Sequence, residues 1–534
     1  MARERWGSKL GVIMAVAGSA IGLGNFLRFP VQAASNGGGA FLIPYFVALF
    51  LLGLPLMWIE WTVGRFGGGF GHSTAPGMFH TLWNKNRFIK YFGVIGIFGP
   101  IVIYIFYVYV ESWLLGYSWF AATGAYARCT TQESMQAFLK GYQGVEKNEY
   151  FSGLGTAYLF FLVTFAANTV IIYLGIQRGI EAVCKYGLPI LFVLGVVLMA
   201  RVFTLGAPDP ARPDWNVLEG MGFLWNPDWS ALGGARTVSL AGREFSLWLP
   251  NGKIWLAAAG QIFFTLSVGI GVILTYASYL TKEDDVALSG LTAAATNEVA
   301  EVIIGGSVII PAAFAFFGPA ATAAIAQGGG FDLGFVTMPL VLQQFPYGQM
   351  FGFMWFALLF IAGITSSISL AQPAIAFLED EFGLSRKEAT LLFAVNSFVL
   401  CHAAIFFLGN GVLDELNFWG GTFCLVLFAT IETILFAWVF GIESAWTELH
   451  VGSDITIPRG YRFIIKYVTP AFLLVILGVW FVQDGVPLLL LESVKPENVN
   501  YVLATRIMLL SLLADLALLV WIVWKRRQPR EAQP

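Results

Sequence analysis

The sequence predicts an all-α protein that crosses a membrane many times. Of its 534 residues, 57% are hydrophobic and only 12% are charged, about half the charged fraction of a soluble protein. Apolar stretches recur along the chain, and each is near the roughly 20 residues that a helix needs to cross the hydrocarbon core. Two of these stretches are interrupted by glycines and polar residues, at 18–30 and 267–271. A soluble enzyme with a single anchor is therefore excluded.

We predict twelve transmembrane spans, numbered in chain order. They lie near residues 10–35, 40–66, 88–121, 156–175, 181–203, 254–279, 287–316, 347–378, 388–408, 412–440, 461–484 and 500–524. Because spans 1 and 6 are both broken, we expect two inverted five-helix repeats, with spans 11 and 12 appended. The expected units are a first repeat at 1–205, a loop at 206–253, a second repeat at 254–442 and a final unit at 443–534.

The basic residues predict the orientation of the chain. Arg3, Arg5 and Lys9 precede span 1, and Lys525, Arg526 and Arg527 follow span 12. Most other short loops rich in lysine and arginine fall on that same side, and such loops stay in the cytoplasm. Both termini are therefore expected in the cytoplasm and the 206–253 loop outside. Membrane lipid is the expected surroundings, no nucleic acid is expected as a partner, and a homodimer is left open.

The two interrupted spans are the most informative feature of the chain. Glycine weakens a helix, and in hydrocarbon every freed backbone group needs a partner. Such a break survives only where it lines a cavity or holds a ligand. Two broken helices in corresponding halves of one chain indicate the binding site of a secondary transporter.

Neutral oxygen atoms surround both breaks. Span 1 offers Asn25 and the freed carbonyls near Gly18, Ala20 and Ile21. Spans 6, 7 and 8 add the side chains of Thr265, Ser267, Asn297, Thr365, Ser366 and Ser367, with Ala362 one turn before Thr365. A dehydrated hard cation suits such a set, whereas a cage of carboxylates would suit calcium. Any one of these groups could instead join helices by hydrogen bonds; as a set beside two breaks they favour the cation.

The break in span 1 also favours an anion. The free N–H groups of Leu23 and Gly24 would stand at the start of a half-helix, where negative charge is stabilised. Neither break contains a carboxylate, so the anion is expected to come from the substrate, and Tyr107 could donate a further hydrogen bond. The apolar candidates for the walls are Ile103, Phe264, Ile270 and Leu370, although for these four taken without context core packing is the better explanation.

Long motifs carry a resemblance to a known family. The run GSAIGLGNFLRFPVQAASNGGGAFLIPY at 18–45, with PLMWIEW at 55–61, GQIFFTLSVGIG at 260–271, TNEVAE at 296–301 and AGITSSIS at 362–369, closely resembles the neurotransmitter:sodium symporter family. The likeness is strongest to its bacterial leucine-transporting members and extends over essentially the whole chain. It implies sodium-coupled import of neutral, mainly aliphatic amino acids by alternating access.

The resemblance also implies individual site residues. Sodium site one is Ala20 (carbonyl), Asn25, Thr265 and Asn297, together with the substrate carboxylate. Sodium site two is the carbonyls of Gly18, Ile21 and Ala362 with Thr365 and Ser366. The substrate residues are Ala20, Gly22, Leu23, Gly24, Ile103, Tyr107, Phe264, Thr265, Ser267, Ile270, Ser366 and Leu370. The inner gate is Arg3 with Asp380, supported by Trp6 and Tyr279, and the outer gate is Arg28 with Gln261 nearby and Tyr107 over Phe264 as a lid.

Two residues depart from the leucine-transporting members. Those members pair the outer-gate arginine with an aspartate, where this chain has Asn417. We therefore predict that Arg28 contacts Asn417, directly or through water, and that Asp414, three residues earlier, supplies the compensating charge. Those members also have an aromatic ring where this chain has Ile270, which is expected to widen one wall of the pocket.

Glu301 bears on the use of chloride. Family members that need chloride carry a neutral hydroxyl at this position, so the resemblance implies that the Glu301 carboxylate supplies the negative charge and that chloride is not required. Glu301 follows Asn297 by four residues, which places both on one helix face. The alternative is a structural buried glutamate paired with a neighbour.

The sequence therefore favours a transporter in the plasma (inner) membrane of a prokaryote that uses two sodium ions. A receptor that binds an amino acid without transporting it, or a channel, are the rival interpretations. An enzyme is not expected, because we find neither a nucleophile with a base nor a nucleotide motif.

Overall fold

The computed structural model describes residues 4–240, 243–492 and 494–531. Within them, ten helices are long and apolar enough to cross a membrane: Gly39–Gly69, Ile89–Thr123, Gly155–Tyr173, Ile176–Phe203, Val286–Pro319, Gly348–Phe382, Arg386–Phe406, Val412–Val439, Gly460–Gln483 and Pro496–Arg526. They correspond to predicted spans 2–5 and 7–12. The predicted helical membrane fold is confirmed.

Span 1 is broken where the glycines predict it. Helix Lys9–Ala20 and helix Gly24–Ser35 meet at an angle of 45°. The first helix is capped by Ser8, whose hydroxyl accepts a hydrogen bond from the N–H of Gly11. Residues 21 and 22 lie outside both helices, and the second helix starts with a π-helical turn over Gly24–Arg28. The span therefore exposes free backbone groups at its middle.

Span 6 is broken over a longer distance. It consists of helix Gly252–Thr265 and helix Val272–Ala277, separated by six residues. Ser267, Gly269 and Gly271 all have positive φ angles, which interrupt the helix. A side chain on Gly269 or Gly271 would lie 2.4 Å from a backbone carbonyl oxygen, of Leu425 or Gly96 respectively. These glycines are required both by conformation and by close packing.

The helices form an inner group and an outer group. In spans 2, 3, 7 and 8, between 72% and 83% of the most apolar window is buried inside the protein, against 22–39% in spans 4, 5, 9, 11 and 12. The largest fully buried side chains include Trp61, Trp113 and Trp355, which belong to spans 2, 3 and 8. The inner group therefore surrounds the two breaks, and the outer group presents apolar side chains to the membrane.

The connections contain further short elements. The additional helices are Ala75–Leu82, Gln132–Tyr142, Val217–Trp225, Gly329–Asp332, Leu333–Thr337, Met338–Gln343, Ile442–Leu449 and Val486–Leu489. The segment predicted as a loop at 206–253 has one of these helices and an antiparallel hairpin, Gly233–Leu240 with Arg243–Pro250. Its Gly38–Pro227 bridge attaches it to the turn after span 1.

Candidate functional site

A cavity lies where the two broken spans meet. Its walls come from spans 1, 3, 6, 8 and 10, and they are formed by Ser19, Ala20, Gly22, Leu23, Gly24, Asn25, Ile103, Tyr107, Phe264, Ser267, Ile270, Ser366, Ser369, Leu370, Gly421 and Leu425. The structure thus brings together every predicted substrate residue except Thr265. The Thr265 hydroxyl points instead to Asn25 and Asn297.

Four residues of this cavity were not predicted. Ser369 lies three residues after Ser366 on the same helix face, so helical spacing could have identified it. Ser19 lies between two predicted sodium ligands, and its hydroxyl is 2.7 Å from that of Ser369. Gly421 and Leu425 give no polar signal in the sequence, and only the packing of span 10 against the breaks reveals them.

The break in span 1 presents backbone N–H groups to neutral partners. The N–H of Leu23 donates to the Tyr107 hydroxyl at 3.3 Å, and the N–H of Gly22 donates to the Asn25 side chain at 2.9 Å. A Cβ on Gly22 would lie 2.8 Å from the Ser366 hydroxyl, and one on Gly24 would lie 2.6 Å from the Phe264 ring. Glycine at both positions leaves the backbone accessible to a small ligand.

The break in span 6 has a carboxyl group of its own. Glu60 of span 2 is fully buried and accepts a hydrogen bond from the N–H of Gly269. The two breaks also contact each other, because the hydroxyls of Ser267 and Ser366 both donate to the carbonyl of Ser19, at 3.0 and 3.1 Å. Glu60 therefore caps a freed N–H group of the span 6 break.

The predicted ligands of sodium site one converge beside this cavity. The Asn297 amide lies 2.8 Å from the Asn25 side-chain nitrogen and 2.9 Å from the Thr265 hydroxyl. The same amide is 3.3 Å from the carbonyl oxygen of Ala20. Asn25, Thr265 and Asn297 are almost completely buried. Side chains from spans 1, 6 and 7 thus meet in one buried cluster, and its oxygen atoms suit a dehydrated cation.

Glu301 belongs to the same cluster. Its carboxylate accepts hydrogen bonds from Asn25 at 3.1 Å and from Gln261 at 2.8 Å, and its side chain is fully buried. One turn away, Glu298 accepts a hydrogen bond from the Tyr45 hydroxyl at 2.8 Å. Gln261, which was expected near Arg28 at the outer gate, therefore donates its side-chain amide hydrogen bond to Glu301.

The predicted ligands of sodium site two are contributed by spans 1 and 8. The Ser366 hydroxyl is within 3.4 Å of the Gly18 carbonyl and 3.1 Å of the Ala362 carbonyl. The Thr365 hydroxyl donates to the Ala362 carbonyl at 3.1 Å. Four of the five predicted oxygen donors therefore lie together between spans 1 and 8. The fifth predicted donor is the carbonyl of Ile21, a fully buried residue three positions after Gly18.

A wider cavity, which we call the vestibule, adjoins the first one. Arg28, Asp414 and Asn417 line it, and Tyr107 and Phe264 lie on the wall shared by the two cavities. The guanidinium of Arg28 lies over the Phe264 ring, 4.5 Å from its centre. Among the described residues no direct hydrogen bond joins Arg28 to Asn417; the direct contact, expected when the vestibule closes, stays a prediction, as does a contact through water.

The opposite end, which we call the base, is closed by the chain segment before span 1. The N–H of Gly7 donates to Glu181 at 2.7 Å, and the Trp6 indole donates to the Tyr276 carbonyl at 3.0 Å. Tyr279 accepts a hydrogen bond from Gln372 of span 8. Glu181 and Tyr276 were not predicted. Arg3 lies outside the described residues, so its pairing with Asp380, in the last turn of span 8, stays a prediction.

Comparison with known proteins identifies the family. The family model described as the sodium:neurotransmitter symporter family matches residues 3–151 and 141–526. A protein of Methanocaldococcus jannaschii described as an uncharacterized sodium-dependent transporter is 31% identical over 479 residues, 89% of each chain. The sodium-dependent nutrient amino acid transporter 1 of Drosophila erecta is 26% identical over 93% of this chain and 80% of its own length.

The fold agrees with a solved member. The structure of MhsT in complex with L-phenylalanine superposes with a TM-score of 0.72 at 28% identity, over 89% of this chain and 99% of that one. The chain therefore belongs to the sodium:neurotransmitter symporter family, whose members are multi-pass, sodium-dependent secondary transporters and not enzymes.

Proposed function

We propose that this protein imports neutral, mainly aliphatic amino acids together with sodium, by alternating access. The observation that carries the proposal is the cavity between the two breaks, which has backbone N–H groups at one end, buried oxygen atoms beside it and apolar walls. An α-amino acid has the matching chemistry, because its carboxylate suits the N–H groups and its side chain suits the walls. The Drosophila erecta relative and MhsT, by their descriptions, also act on or bind amino acids.

The walls favour aliphatic side chains. Ile103, Ile270, Leu370 and Leu425 contribute flexible or branched apolar surface, and Phe264 contributes one ring. The substrates we expect are leucine, isoleucine, valine, methionine and alanine. Ile270 is smaller than the aromatic residue of the leucine-transporting members, so somewhat larger side chains are expected to fit. The phenylalanine bound to MhsT supports this extension.

Two sodium ions are proposed as co-substrates. At site one the substrate carboxylate would complete the set formed by Ala20, Asn25, Thr265 and Asn297. At site two the ion would join spans 1 and 8 without touching the substrate. Coupling must then be reciprocal: sodium raises the affinity for the amino acid, and the amino acid raises the affinity for sodium at site one.

Chloride is not required in this proposal. Glu301 is not itself a proposed ligand of site one. Its carboxylate accepts a hydrogen bond at 3.1 Å from Asn25, which is a proposed ligand. A fixed negative charge at this distance offsets the charge of a bound sodium ion, as a chloride ion would. The same carboxyl could carry a proton back once sodium has left.

The closed base and the adjoining vestibule support alternating access. The base is fastened by Trp6 and by Glu181, while the vestibule and the substrate cavity meet at a shared wall that includes Tyr107 and Phe264. We propose that the base faces the cytoplasm, that both termini lie there, and that the vestibule opens to the outside of a prokaryotic plasma membrane. Import would then require the contacts of Trp6 and Glu181 to break after the lid, Tyr107 over Phe264, has closed.

Uptake into proteoliposomes tests the proposal. The purified full-length chain is reconstituted, and accumulation of labelled leucine is followed with an inward sodium gradient, with a potassium gradient and in protein-free vesicles. We expect accumulation above the outside concentration with sodium alone, and its collapse when a sodium ionophore is added. Binding without accumulation would favour a receptor, and sodium-independent equilibration would favour a channel; either result contradicts the proposal.

A further inference from the structure

A third cavity, which we call the crevice, lies on the outer surface between spans 3, 10 and 12 and the short helix Val486–Leu489. Its floor includes Phe98, Cys424 and Leu509, all of which are buried. Arg506 is the one charged residue on its wall. It shares no lining residue with the vestibule or with the substrate cavity, although spans 3 and 10 contribute to all three.

The crevice opens toward the membrane. Leu510 and Leu489 stand at its rim and are 66% and 45% exposed. Both belong to the peripheral part of a protein that crosses a bilayer, so the medium in front of them is lipid. An apolar recess with such a rim is filled by whatever apolar chain the surrounding medium supplies, because an empty recess loses dispersion contacts.

Arg506 gives the crevice a polar end. Its Nε donates to Glu415, and its terminal nitrogens donate to the carbonyls of Leu488 and Leu489 at 2.7 and 3.3 Å. A guanidinium has five N–H groups, so two are not used by the described residues. Glu415 already balances the charge, and the remaining donors suit an acceptor oxygen without demanding a net anion.

We propose that the crevice binds one acyl chain of a glycerophospholipid, whose ester or phosphate oxygens accept hydrogen bonds from Arg506. The chain lies against Phe98, Cys424 and Leu509, and the headgroup remains at the membrane surface near Leu489. Because Glu415 neutralises Arg506, a zwitterionic phospholipid is sufficient.

The position of this site connects it to the transport path. Glu415 also accepts a hydrogen bond from the Trp419 indole at 2.7 Å, which fixes the start of span 10. On the other face of the same stretch, Asp414 and Asn417 line the vestibule, and Gly421 and Leu425 line the substrate cavity. A bound chain would therefore support the back of the helix whose front forms part of both cavities.

Native mass spectrometry of the purified full-length chain tests the proposal, with palmitoyl-oleoyl phosphatidylcholine added after delipidation. Leu513→Trp and Leu427→Trp fill the crevice from its two walls. Leu518→Trp is the matched control, since Leu518 lies on the same helix as Leu513, is 51% exposed and is not part of the crevice. We expect one firmly retained lipid in the wild type and in Leu518→Trp, and about a tenfold or larger loss of it in both filled variants.

Equal retention in all four proteins would overturn the proposal. So would a change of the dimer fraction in the filled variants with lipid retention unaltered, because a second copy of the chain would then be the occupant. If neither filled variant folds, the wild type is imaged with phosphatidylcholine that has a brominated acyl chain. Bromine density in the crevice supports the assignment, and density confined to other surfaces contradicts it.

Discussion

The two helix breaks solve the same problem in different ways. In span 6 the freed N–H of Gly269 is satisfied by the carboxyl group of Glu60, which comes from the protein itself. In span 1 the freed N–H of Leu23 has only the neutral hydroxyl of Tyr107, at 3.3 Å. Anions bind N–H groups at a helix start more strongly than neutral acceptors do. The comparison supports our proposal that the substrate carboxylate fills the span 1 break, while span 6 already has a carboxyl partner.

The largest expected effect comes from giving span 1 a carboxyl of its own. In Gly22→Asp the new carboxylate would take the free N–H groups and repel that of the substrate, and like charges in contact cost several kcal/mol. We expect leucine uptake to fall by about 100-fold or more. Gly22→Ala is the control, because it adds the Cβ that would lie 2.8 Å from the Ser366 hydroxyl without adding charge. Equal losses in both variants would mean that size alone matters.

A second test separates the two proposed sodium sites, of which only site two is expected to lack contact with the substrate. Thr365→Ala removes one proposed ligand, at a cost of about 1–3 kcal/mol. The sodium concentration for half-maximal uptake is expected to rise by about 5- to 150-fold, with the order of preferred amino acids unchanged. Thr505→Ala is the control, since its hydroxyl makes the same kind of intrahelical bond, to Tyr501. A sodium titration of Thr365→Ala that overlays the wild type would show that the ligand assignment is wrong.

A third test concerns the carboxylate beside site one. We expect wild-type uptake to be the same in chloride and in gluconate. Glu301→Ser removes the fixed charge, and uptake by this variant should fall about tenfold when gluconate replaces chloride. Glu298→Gln is the control, because Glu298 bonds to Tyr45 and not to Asn25. A strong chloride requirement in the wild type would contradict the role of Glu301.

The smallest effect is expected in the vestibule above both breaks. Asp414 and Asn417 are exposed there, and exposed ion pairs contribute only about 0.2–1 kcal/mol. Asp414→Asn should therefore lower uptake by about 1.4- to fivefold, while Asn417→Asp is tolerated. The measurement is the initial rate of uptake at several salt concentrations. Unaltered rates in Asp414→Asn would show that Asp414 does not compensate the charge of Arg28.

Much of this architecture is predictable from sequence because polar and glycine residues are costly inside a membrane. Glycines 18, 22 and 24, with Asn25, identify the first break, and Gly269 with Gly271 identifies the second. The length of apolar stretches predicts the helices. The hairpin at 233–250 was not predicted. It lies outside the membrane, where polar residues carry no such cost and the sequence pattern is less informative.

The parts of the site that were not predicted depend on packing. Leu425 reaches the cavity because span 10 lies against the span 6 break, where its carbonyl is 2.4 Å from a Cβ placed on Gly269. Arg28 lies over the Phe264 ring, and this contact depends on how the two half-helices turn. Trp6 meets the Tyr276 carbonyl across 270 residues of sequence. Contacts between residues so far apart in the sequence leave no periodic pattern from which they could be predicted.

The most direct test of the central claim is competition for sodium-dependent leucine binding by isopentylamine, which is leucine without its carboxylate. If that carboxylate fills the span 1 break and completes sodium site one, isopentylamine should bind about 100-fold or more weakly than leucine, and sodium should no longer raise its affinity. Isopentylamine that binds as tightly as leucine, with the same sodium dependence, would contradict the account.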